Sequence, residues 1–70
     1  MYQYYFLKIR EVNARKAHDI LNNRQKLGDI DRWCFCRWDE GVVLCVFNPI
    51  VSDDFENIKN EFQLAGIQIL

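Results

Sequence analysis

Histidine and proline each occur once in this chain, glycine only three times, and no apolar run approaches the roughly 20 residues that span a bilayer as a helix. Each scarcity removes a class of function. A lone histidine, His18, leaves no imidazole pair for a metal and no evident partner for acid–base catalysis, so it reads as an ordinary helix residue. Few glycines leave no phosphate-cradling loop. The segment that would join the first strand to the first helix, Arg10-Glu11-Val12-Asn13, has neither a glycine nest nor a C-x-x-C pair. Regulatory-ligand, acylphosphatase-like and metallochaperone-like readings therefore lack their defining residues. No basic-then-apolar secretory leader is visible, and the cysteine count is odd, so the expectation is a reduced, cytoplasmic setting with no membrane.

Excess charge of one sign is also missing. The net charge is −1 and the pI about 5.7, which excludes the global basic field of a non-specific nucleic-acid binder. The distribution is uneven, however: residues 1–38 carry eight Lys or Arg against four Asp or Glu, and residues 39–70 carry one against six.

Among the residues present, half are apolar and 27% charged, a balance that permits one hydrophobic core in 70 residues. Gln3 to Arg10 alternates with period two, as a strand does. Asn13 is placed to cap a helix, with Val12 and Ala17 as a hydrophobic staple. Ala14, Ala17, Ile20, Leu21 and Leu27 follow at helical spacing until Gly28 stops the helix. Ile30–Trp38 and Val42–Phe47 are aromatic and β-branched, and Asp39-Glu40-Gly41 between them suits a hairpin with the glycine left-handed. That register sets Trp38 against Val42, Cys36 against Leu44 and Phe35 against Cys45. Asn48-Pro49 breaks the strand. Ser52 or Asp53 then caps a second helix with Phe55, Ile58, Phe62 and Ala65 on one stripe, ended by Gly66, and Ile67–Leu70 reads as a last short strand. The predicted architecture is one α+β domain over residues 1–70, a ferredoxin-like βαββαβ fold with a four-stranded antiparallel sheet, two helices on one face, and the first and third strands central.

Three cysteines with His18 suggest zinc only superficially. Structural zinc sites use C-x₂₋₄-C knuckles on turns. Cys34 and Cys36, one residue apart on a strand, aim the same way with Cα atoms about 6.5 Å apart. No metal, cofactor or catalytic residue is assigned, and the chain is expected not to be an enzyme.

Aromatic side chains are the distinctive excess. Eight of ten, namely Tyr2, Tyr4, Tyr5, Phe6, Trp33, Phe35, Trp38 and Phe47, fall on the first three predicted strands and on both sides of the pleat. Two short helices cover only one sheet face, while Val42–Phe47 and Tyr4–Leu7 are unbroken apolar runs, so something is expected to cover the other. The expected function is a small adaptor, regulator or inhibitor that binds a protein partner, or itself as a homodimer, through Tyr4, Phe6, Trp33, Phe35, Arg37 and Phe47. The alternative is single-stranded nucleic-acid binding in the manner of an RNA-recognition motif, with Tyr4, Phe6 and Phe47 stacking bases. Only Gly41 and Phe47 fit that motif's third-strand pattern.

Overall fold

A computed structural model describes residues 3–70. Strand β1 (Tyr5–Arg10) runs through a 3-10 turn (Glu11–Asn13) into helix α1 (Ala14–Leu27). Strands β2 (Ile30–Asp39) and β3 (Val42–Pro49) form a hairpin, and helix α2 (Asp54–Leu64) follows. The sheet is antiparallel with order β1-β3-β2, so β3 is central.

The sheet has three strands, which overturns the four-stranded ferredoxin-like expectation. Gly66 explains why. At φ 84° it closes α2 with two backbone bonds, from Gly66 N–H to Gln63 O and from Ile67 N–H to Phe62 O. This left-handed closure suits a residue without Cβ. Gly28, also at φ 84°, closes α1 in the same way through Gln25 and Arg24. After Gly66 the chain drops Ile67 into the core at 1% exposure. It reaches the outer edge of β1 only through Leu70 N–H, which donates to Lys8 O at 2.8 Å. One bond over four residues is not a ladder. β1 is accordingly an edge strand and not a central one.

The helix starts also differ from expectation. Asn13 makes no side-chain cap bond, and Val12 is 86% exposed, so no staple forms. The chain instead enters α1 through the 3-10 turn, whose Glu11 N–H donates to Gly41 O at the hairpin tip. At α2 neither Ser52 nor Asp53 caps with its side chain. Val51 O and Ser52 O accept from Asp54 and Phe55 N–H in a backbone turn.

Odd-numbered residues of the sheet, Leu7 and Ile9 on β1 with Val43, Cys45 and Phe47 on β3, point to the helices and join Ala17, Leu21, Ile58, Phe62 and Ile67 in one core. Phe55 stacks on Tyr5 and Phe47 with ring centroids 4.9 and 6.0 Å away. Both helices therefore lie on this one face. They are tied by Arg24, whose guanidinium reaches Glu61 on α2 at 2.7 Å and Asp29 at 3.0 Å. Burial penalises that charge, but the two carboxylates outweigh it and raise the Arg24 pKa. Lys16 Nζ donates to Ala65 O at the end of α2, where a cation complements the helix dipole.

A bulge at Asp31 and Arg32 settles how β2 joins this core. Ile30 pairs with Pro49 and Trp33 with Phe47, so two residues oppose Asn48 alone. The extra residue shifts the parity, letting even-numbered Ile30 share the helix-facing side with odd-numbered Trp33. Asn48, 2% exposed, fills the gap in the ladder by accepting the Arg32 N–H with its Oδ1 at 2.6 Å.

Candidate functional site: the open sheet face

Even-numbered residues make up the face that no helix covers. The ladders bring Phe6, Val46 and Cys34 into one row, Lys8, Leu44 and Cys36 into the next, and Arg10, Val42 and Asp39 into a third at the hairpin end. Tyr4, just before β1, keeps the parity of Phe6 and is 53% exposed; Phe6 itself is 60% exposed. A second bulge, between Arg37 and Asp39, frees Trp38 from direct pairing. Asp39, not Trp38, consequently opposes Val42. The Trp38 ring and the Lys8 side chain, from the two edge strands, meet across the central strand, Lys8 Nζ lying 5.3 Å over the ring in a cation–π contact. Central β3 thus shows three half-buried aliphatic side chains between exposed aromatics of both edge strands.

The six residues expected to form a binding surface divide between the two faces. Tyr4 and Phe6 lie on the open side. Trp33, Phe35, Arg37 and Phe47 lie on the helix side, as their ladder partners Phe47, Cys45 and Val43 require. Phe47 is fully buried and belongs to the core. Trp33 and Phe35 meet edge to face at 5.2 Å and are half-buried at the margin of the core, and His18 sits edge-on to Trp33 at 5.1 Å. Arg37 is exposed and 3.7 Å from Glu11. Trp38, Leu44 and Val46, on the open face, were not among the six. The hairpin register that the sequence suggests already carries that signal, since it puts Trp38, Cys36, Val42 and Leu44 at one parity.

Two of the three thiols share the open face. Cys34 and Cys36 are exposed, whereas Cys45 is buried among the helices. Partial burial, then contact with the Cys36 thiol, pushes the Cys34 pKa up. Burial alone pushes the Cys45 thiol up to about 12. Among the described residues no three of His, Cys, Asp and Glu converge as a metal cage, and no helix is long and apolar enough to cross a membrane. Besides its edge-on contact with Trp33, His18 lies 3.4 Å from its neighbour Asp19 on the helix surface.

Compared with known proteins, the chain matches no family model, and neither curated proteins nor solved structures yield a significant match. A functional reading has to rest on the geometry of this face.

Proposed function

We propose that this chain is a non-enzymatic interaction module that docks a protein partner on its open sheet face. The observation that carries this reading is the row Val42, Leu44 and Val46 on the central strand, flanked by exposed Phe6 and Trp38, with no element of the described chain over it. An antiparallel sheet wetted on one face normally places polar residues there. An apolar centre with an aromatic margin instead has the composition of an interface core.

Lys8 specifies the chemistry of the occupant. It lies in the middle row and, among the described residues, pairs with no carboxylate, its ammonium resting over Trp38. A second copy stacked with its middle row on this one would set two ammonium groups against each other with no carboxylate between them, Asp39 lying in the row at the hairpin end, and burying them so costs several kcal/mol each. A partner whose apolar surface carries a carboxylate opposite Lys8 meets both requirements. Base stacking is less favoured. The third-strand aromatic it needs, Phe47, is in the core, and the central strand offers only aliphatic side chains to the open face.

Affinity capture from the native host with five baits, wild type and four variants, tests this. Phe6→Ala, Trp38→Ala and Lys8→Glu are expected each to lose a protein that wild type captures, by at least about tenfold. Leu64→Ala, at a 90% exposed site on α2, retains it. Equal capture by all baits would end the proposal. A dimer in light scattering that Phe6→Ala dissociates would put a second copy in the partner's place. Salt-dependent oligonucleotide binding lost in Phe6→Ala would put a nucleic acid there.

A further inference from the structure

We propose that Cys34 and Cys36 form a two-thiolate clamp for a soft, two-coordinate cation of the copper(I) type. Both thiols are exposed on the same face of β2, one residue apart, and the ladder partners Val46 and Leu44 hold their backbones in register. Two strand steps separate their Cα atoms by about 6.6 Å, and side chains standing off a pleated strand keep nearly that spacing at Cβ. A disulfide needs Cβ atoms about 3.5–4.5 Å apart, so direct oxidation of this pair would have to distort the strand. A cation bridging two sulfurs at about 2.3 Å each spans about 4.6 Å, which the two Sγ atoms reach by leaning toward each other. The spacing fits a bridging ion better than a bond.

The number of donors selects the ion. Zinc takes four ligands, and among the described residues no third His, Cys, Asp or Glu completes a group with this pair. Two soft thiolates alone satisfy copper(I) and its analogue silver(I), for which sulfur is the preferred donor. On binding, two S–H bonds break, two metal–sulfur bonds form, and two protons leave to solvent. No electron is transferred. The resulting bis-thiolate complex carries one negative charge, and Lys8, in the Cys36 row with its ammonium reaching to Trp38, is placed to compensate it. Leu44 and Val46 supply an apolar floor that limits water beside the metal–sulfur bonds.

The test uses the reduced full chain without any partner, so its outcome is independent of the docking proposal. Silver(I), then copper(I) against a chromophoric chelator, is titrated while tryptophan fluorescence and native mass are recorded. One cation per chain is expected, with fluorescence quenched through Trp38 beside the site. Cys34→Ser and Cys36→Ser, both at exposed positions that leave the core intact, should each weaken binding by at least about 100-fold, because a clamp gains its affinity from the second, intramolecular ligand. Two cations per chain, with each serine variant keeping one at near wild-type affinity, would overturn the clamp. So would a cation held only between two chains, or zinc bound as tightly as copper(I).

Discussion

Cys45 and Cys36 lie on neighbouring strands one pleat apart, yet one thiol is sealed under two helices and the other faces outward. In the unfolded chain the Cys45 thiol titrates near 9.0, while burial in the fold pushes it up to about 12. From about pH 9 the unfolded chain gives up this proton and the folded chain keeps it, so the folded state binds more protons. The contribution is complete below about pH 9 and declines as pH rises toward 12. At about 1.4 kcal/mol per pH unit, a displacement from 9.0 to about 12 corresponds to a loss on the order of 4 kcal/mol, large beside the stability of a domain this small. Cys45→Ala should therefore lower the urea midpoint at pH 7, through the cavity it leaves, but flatten the fall between pH 9 and 11. Parallel declines in the two proteins would show that other groups govern the alkaline limb.

Elements are joined by few polar ties, of which Arg24 makes the most. Its side chain is only 20% exposed and it binds Glu61 across the helix pair and Asp29 in the loop that leads into β2. A double-mutant cycle with Arg24→Met and Glu61→Gln is expected to give a coupling of about 1–2 kcal/mol in urea denaturation, above the few tenths typical of fully exposed pairs. A coupling indistinguishable from zero would mean the helices are held by apolar contact alone. Most of this level was legible in the sequence. The alternation in β1, two helices closed by Gly28 and Gly66, and the pairing of Cys36 with Leu44 and Phe35 with Cys45 all reappear in the structure, but Leu27, 66% exposed, and Ala65 turn away from the core stripes they were expected to join. Three features were not legible, for distinct reasons. Ile67–Leu70 is apolar enough for a strand, but burial of Ile67 in the core competes with pairing, and periodicity cannot rank the two. Asn13 has the right chemistry for a cap, yet the 3-10 turn tied to Gly41 sets the helix entry. The bulges depend on Asn48 and on the hairpin tip, and each moves a residue by one pleat. This is why Trp38 faces Lys8 and Ile30 faces the core. The candidate site was half legible for the same reason: aromatic excess signals an interface, while face assignment needs the register, which divides Tyr4 and Phe6 from Trp33, Phe35, Arg37 and Phe47.

At the scale of the whole molecule, the two faces of one sheet have different duties, and they separate experimentally. Phe47 and Phe62 are fully buried beneath the helices, so truncating either to alanine should cost about 3–5 kcal/mol and threaten folding outright. Phe6 and Trp38 expose 60% and 61% of their surface, and their removal is expected to shift stability by no more than about 1 kcal/mol. Solvent-exposed aromatics on a sheet face add little to holding the chain together, and they enlarge an apolar surface that a free monomer has to keep wet. A chain folded only for its own stability would have no use for them. Thermal melts of Phe6→Ala, Trp38→Ala and the double variant should therefore remain cooperative and near the wild-type midpoint, in the same proteins that lose partner capture. Should these variants unfold as Phe47→Ala does, the open face would be a structural surface whose cover the chain itself provides, and the partner would be unnecessary.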